Sequence, residues 1–221
     1  MSPLSEIDKE WVLRENSLNF FSRISLSAHS ELMRVFDSIE KTTVVLEDLV
    51  IDMINGKQID NVQYQQIADE ISKRTAAGKE VLEIIDKFVR KTDDKGSKFN
   101  IIQLVTNLVT LIRGQDAFDR VKLVTNLPDR PLYIYNNQFL VQQALFSLLQ
   151  NTLIISQDGD EITITVNTYD SGVVLLIESG SAASNKKLDL AYLELLMEKI
   201  GGVFDVDKDS ERTVLKLAIP G

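Results

Sequence analysis

Asn19-Phe20-Phe21-Ser22-Arg23-Ile24-Ser25-Leu26-Ser27-Ala28-His29-Ser30-Glu31-Leu32 holds the chain's only histidine beside an apolar seam. Apolar residues recur at Phe21, Ile24, Ala28, Leu32, Val35, Ile39, Leu46, Leu49 and Met53. Their approximate three-then-four spacing makes one buried stripe on a long helix. His29 falls at the margin of that stripe, within reach of solvent and a partner protein. Neutral imidazole there is both a nucleophile and a proton carrier near neutral pH. The plain alternative is a surface histidine, because proton or phosphoryl chemistry normally needs a second placed group.

Working outward, residues 4 to 54 read as helix, with no proline after Pro3 and no glycine before Gly56. Asn55-Gly56 is a stop signal suited to a left-handed cap. A second helix is predicted from Val62 to Thr92, its apolar face made by Ile67, Ile71, Ala77, Val81, Ile84, Ile85 and Phe88 and its end set by Asp93-Asp94-Lys95-Gly96. Two such helices form an antiparallel hairpin that cannot bury both stripes alone. Pairing of two copies into a four-helix bundle is expected, since two-fold homodimers dominate among oligomers and the C-terminal half reads as able to close its own core. The alternative is a hairpin folded back on that half.

With 221 residues, the chain fits two domains, given typical sizes of roughly 100 to 150 residues. Residues 1–96 are expected to form the hairpin and residues 97–221 a second domain. The 44% hydrophobic and 26% charged content is that of a soluble globular protein. With no cysteine, disulfides and thiol nucleophiles are excluded, and one histidine speaks against a conventional zinc centre, so metal is expected to enter only through carboxylates and amides. No run approaches the roughly 18 apolar residues of a membrane span, and Met1 to Glu10 lacks a signal-peptide pattern. A cytoplasmic protein with no membrane partner is expected. A formal charge of -9 opposes nucleic acid as a partner over the whole surface and favours protein partners.

After Gly96 the pattern changes. Phe99 to Arg113 reads as helix, Lys122 to Asn126 and Pro131 to Tyr135 as strands, and Asn137 to Ser156 as a helix with a broad apolar face. Glu161 to Tyr169 alternates Ile162, Ile164 and Val166 with polar residues in a period of two. Asp170-Ser171-Gly172 turns it into Val173 to Ile177. Helix at Leu188 to Ile200 and a hairpin of Val203 to Asp207 with Thr213 to Ile219 complete an α+β sandwich.

Phe99-Asn100-Ile101-Ile102-Gln103-Leu104-Val105 resembles the "F-D-L-x-x-L-V" entry into the ATPase domain of two-component sensor histidine kinases. Asn137 to Thr152, NQFLVQQALFSLLQNT, resembles the asparagine box "D-P-x-x-L-x-Q-V-L-x-N-L-L-x-N-A" of the same family. The resemblance covers nearly the whole chain and implies a dimerisation and histidine-phosphotransfer hairpin followed by an ATPase-type α/β sandwich. Asn151 matches the second asparagine of the box, whereas Ser147 replaces the first. Glu178-Ser179-Gly180 stands where the family has "D-x-G", and Lys187-Leu188-Asp189-Leu190-Ala191 where it has "G-L-G-L-A". The stretch between Gly180 and Leu188 is too short for the family's ATP lid. Asn151, Glu178 and Gly180 are therefore expected to be vestigial nucleotide positions, with no cofactor bound and no ATP-dependent kinase activity.

A lid-less ATPase-like domain on a dimeric hairpin is similar to the stand-alone histidine phosphotransferases of bacterial phosphorelays. That resemblance implies His29 as phosphoacceptor, with a response-regulator receiver domain or a sensor kinase as partner. Aligning Phe20-Phe21-Ser22-Arg23-Ile24-Ser25 with "F-L-A-N-M-S", however, puts Leu26 at the accepting position and His29 at the arginine of "H-E-L-R-T-P". The other reading is a non-enzymatic pseudo-histidine-kinase scaffold that regulates a kinase or response regulator by binding. Glu40, Glu47, Asp48 and Asp52 read as a solvated face, Tyr133 and Tyr135 as structural strand residues, and Lys186-Lys187 as a solvated pair. Trp11 is expected either to pack across the dimer or to cover the bundle end.

Overall fold

The computed structural model describes residues 5–58, 60–90, 96–169, 172–180, 188–208 and 212–221. Helix α1 (Glu6–Ile54) opens on a capping box in which Ser5 Oγ accepts from Asp8 N and Asp8 Oδ2 accepts from Ser5 N, each at 3.2 Å. No proline or glycine interrupts it, and it runs for 49 residues. Helix α2 (Asn61–Arg90) returns antiparallel beside it. Gly78 of α2 makes room for the Val35 side chain of α1, since a Cβ at Gly78 would lie 3.2 Å from Val35 Cγ1.

The α/β half contains β1 (Ser97–Asn100), α3 (Ile101–Ile112), α4 (Asp116–Asp119), β2 (Lys122–Asn126), β3 (Tyr133–Asn136) and α5 (Gln138–Ile155). It continues with β4 (Glu161–Tyr169), β5 (Gly172–Ser179), α6 (Ala191–Ile200), β6 (Val203–Lys208) and β7 (Thr213–Pro220). Five strands form a mixed sheet in the order β2-β4-β5-β7-β6, parallel only between β2 and β4. Ile162, Ile164 and Val166 of β4, with Val173, Leu175 and Ile177 of β5, bury one face under α5 and α6. The edge strand β6 is blunted by its own side chain, since Asp205 Oδ1 accepts from Val206 N at 2.8 Å. Among the described residues no helix is long and apolar enough to cross a membrane.

Two elements depart from the sequence reading. Phe99 belongs to β1 rather than to a helix, because β1 pairs antiparallel with β3 and Asn100 ends the strand as N-cap of α3, its Oδ1 accepting from Ile102 N at 3.1 Å. The short α4 falls between the helix and strand expected at Phe99–Arg113 and Lys122–Asn126, in a stretch to which the sequence reading assigns no element. Tyr133 and Tyr135 pack little, standing outward on β3 while Ile134 alone is buried, with the Lys98 ammonium 5.2 Å from the Tyr133 ring centre.

The core differs from expectation in a way that matters for function. The α/β half does not close its core alone. Phe20, Ile24 and Ala28 of α1 and Val81, Ile84 and Phe88 of α2 belong to the same buried cluster as α3, α5 and the sheet. The upper stripe of the hairpin is thus covered within one chain, whereas Val44, Val45, Ile51, Met53 and Ile54 in its lower half stay exposed.

Candidate functional site

His29 lies exposed on α1. On an α-helix it points about 180° from Phe20, 140° from Ile24 and 160° from Ser27, so it stands on the opposite side from the joint with the α/β half. Residues three, four and seven positions away share its side. Among them Leu26 (64% exposed), Met33 (45% exposed) and Phe36 (59% exposed) are exposed and apolar, beside the exposed Ser22 and Ser25, while Leu32 packs toward the core, and the same exposed apolar line continues up the helix through Leu18, Trp11 and Ile7. This is a second apolar stripe that a reading for one buried face passes over. The signal for it is present in the sequence as the offset spacing of residues 7, 11, 18 and 26. Glu31 is two residues on, about 200° around the helix, and faces Arg34 at 3.7 Å rather than the imidazole.

The positions that resemble a nucleotide site are arranged differently from that motif. Asn151 is buried on α5, and both ends of its amide are engaged by backbone. Its Nδ2 donates to Ser147 O and Asp189 O, each at 2.9 Å, and its Oδ1 accepts from Asp189 N at 2.8 Å. Asn151 therefore ties the segment before α6 to α5. Glu178 is not brought beside it. Paired with Thr163 and Val214 in the sheet register, Glu178 lies on the face opposite Ile177, where Arg212 Nη1 meets its Oε1 at 3.2 Å. The residue of this strand end that turns toward the helices is Ser179, whose hydroxyl is 2.9 Å from Ser156 Oγ. Gly180 is exposed, and a Cβ there would meet nothing within 4 Å. Lys186 and Lys187 lie outside the described residues.

Ser147, with Gln143 and Gln150 one turn either side, faces α1. Between them and Asn16, Phe20 and Arg23 remains a cavity of about 40 Å³. That space suffices for a few waters, one needing roughly 10–15 Å³, and is far below the ~300 Å³ at which ligand pockets begin. Tyr192 of α6 closes one side. Its hydroxyl donates to Gln143 Oε1, which also accepts from Ser17 Oγ at 3.0 Å. Burial pushes the Tyr192 phenol up to about 12, so it keeps its proton and remains a donor. Among the described residues no three carboxylate or histidine side chains converge as a metal site.

No known protein-family profile matches the chain. The sensor histidine kinase WalK of Bacillus subtilis is 31% identical over 94 residues, covering 39% of this chain and 15% of WalK. A histidine kinase from Burkholderia phymatum has a TM-score of 0.50 at 13% identity, covering 99% of this chain and 100% of that one. The histidine kinase ThkA, solved with the response regulator TrrA, has a TM-score of 0.50 at 14% identity, covering 85% of this chain and 60% of that one. The chain has the sensor histidine kinase core fold. In that core the long hairpin and the mixed-sheet α/β half follow one another as the motif order implied, and the chain spans only a small part of WalK. Within the histidine kinase core fold, His29 and Asn151 sit on different sides of α1, and the box asparagine is used as a structural tie.

Proposed function

We propose that this histidine kinase-like two-component signalling protein is a histidine phosphotransferase that uses no ATP, with residues 1–96 as the phosphotransfer hairpin and residues 97–221 as a degenerate ATPase-like domain. The observation that carries this reading is the accessible imidazole of His29 beside the exposed apolar side chains of Leu26, Met33 and Phe36, which together make a docking face. A receiver domain is the natural partner, and the ThkA–TrrA complex supports that class of partner. In the transfer the imidazole nitrogen attacks the phosphorus of a receiver's aspartyl phosphate. The P–O bond to the aspartate breaks, its carboxylate leaves, and the imidazole gives up its proton.

The exposed apolar residues of the lower hairpin, Val44, Val45, Ile51 and Ile54, support pairing with a second copy in a cytoplasmic four-helix bundle. The test is transfer of labelled phosphate from a phosphorylated receiver to the purified protein. Acid-labile label that disappears in His29→Ala is expected. Absence of label, or label that survives His29→Ala, removes the phosphotransferase reading.

A second reading is favoured by Leu26, which takes the motif's accepting position and is itself exposed. A scaffold that binds a kinase or response regulator through this face would keep its control over the partner in His29→Ala.

A further inference from the structure

The joint between α1 and the α/β half extends from Lys9 to Arg34, roughly 37 Å of helix, and it is built differently along its length. At the top, Lys9 Nζ donates to both carboxylate oxygens of Glu198 at 3.1 Å. Next comes the Ser17–Gln143–Tyr192 link. In the middle, Phe20 packs in tilted contact with Phe139 and Phe146 of α5, ring centres 5.9 and 5.0 Å away, with Phe88 of α2 edge-on at 5.4 Å. Below it, the buried Ser27 hydroxyl donates to Leu111 O at the end of α3. Gly114 lies against the α1 backbone so closely that a Cβ would run into the Ser27 carbonyl oxygen and come 3.2 Å from Glu31 N. Arg34 then donates to Arg113 O at 2.9 Å and to Asp119 at 2.8 Å.

An apolar middle, a buried hydrogen bond and a backbone-to-backbone contact do not slide past one another, because each is satisfied at one register only. The face of α5 that carries Ser147 is sealed by the same helix, leaving only about 40 Å³. His29 points away on the far side of α1, and a group held against α5 would have to pass through or around the helix to reach it.

We infer that the α/β half is locked onto the face of α1 opposite His29 as one rigid body, and that it serves as a fixed wall behind the docking face rather than as a donor to the histidine. This deepens the phosphotransferase proposal by placing the phosphoryl donor in a separate protein, and its test does not depend on phosphoryl chemistry.

The cysteine-free chain allows clean double labelling. Spin labels at Glu40→Cys on α1 and Glu194→Cys on α6, both exposed, are measured by pulsed dipolar spectroscopy, with excess unlabelled chain to remove distances between copies. One narrow distance is expected, unchanged by millimolar Mg-ATP. It should broaden when Gly114→Val opens the joint. Ser27→Ala combined with Arg34→Ala gives the same readout if Gly114→Val does not fold. A broad or two-population distance in the parent chain, or a shift on adding Mg-ATP, overturns the lock. A narrow distance that persists in both joint variants overturns its assignment to these contacts. Transfer to His29 is assayed separately, so failure of the lock and failure of the phosphotransferase reading are distinguishable.

Discussion

Phe20→Ala should be among the most damaging single substitutions in the chain, although its neighbour Phe21 and the nearby Phe36 are the same residue type. Phe20 is 3% exposed, whereas Phe36 is 59% exposed. Truncating a buried phenylalanine to alanine costs about 3–5 kcal/mol through lost transfer energy and the cavity left behind. Here the ring also loses its edge and tilted contacts with Phe88, Phe139 and Phe146. Each such pair adds about 0.5–1.5 kcal/mol beyond area, so the upper part of the range is expected. Against a total stability of ~5–15 kcal/mol, that is a large fraction. For a chain of this size the midpoint temperature should fall by roughly 6 to 20 °C, at about 2–4 °C per kcal/mol. The assay is urea and thermal unfolding followed by far-ultraviolet circular dichroism, with Phe36→Ala as reference. The reference should lose within about 0.5 kcal/mol, and any larger loss there that depends on protein concentration reports contact between copies. A Phe20→Ala cost under ~1 kcal/mol at every concentration would falsify the placement of α1 in the shared core.

Other expectations follow from single contacts. Asn151→Leu should cost about 1–3 kcal/mol, because it leaves the Asp189 N–H and C=O without their side-chain partner, while Ser147 O keeps its bond within α5; hydrogen exchange should show the segment around Asp189 opening first, and unchanged exchange there would contradict its role as a tie. His29→Ala should leave stability within about 0.5 kcal/mol, since the side chain is exposed, and a cooperative unfolding curve superimposing on the parent's checks this. Tyr192 ionises near 12 in the folded protein against 10.0 in the unfolded chain, so between those values the unfolded state sheds a proton that the folded state keeps. Stability must therefore fall as pH rises from 10 to 12, and in urea titrations across that window Tyr192→Phe should show a shallower fall than the parent.

Much of the architecture was legible because it is written in local periodicity. The long uninterrupted helix needs only the absence of proline and glycine before Gly56. The alternation of Ile162, Ile164 and Val166 with polar residues fixes a strand with one buried face. Asn55-Gly56 and Gly201, the latter at φ 66° as the cap of α6, stop helices by backbone chemistry that any reader of the chain can anticipate. The candidate histidine was legible too, being the only one.

What could not be read was whatever depends on partners far along the chain. Strand β1 exists because β3 pairs with it from more than thirty residues away. Asn151 is a tie rather than a free amide because Asp189, 38 residues on, offers both a donor and an acceptor. Motif spacing placed Glu178 at the aspartate of "D-x-G", and the sheet register turns Ser179 toward the helices and Glu178 to the far face. The same holds for α1, the stretch from Asn19 to Leu32. Its sequence determined that the segment is helical and that His29 stands at the edge of a stripe, because 3.6-residue periodicity is a property of the chain itself. Only the tertiary structure decided that Phe20 is the core residue and that the α/β half covers the side away from the histidine, because that choice is made by which distant surface packs against which face.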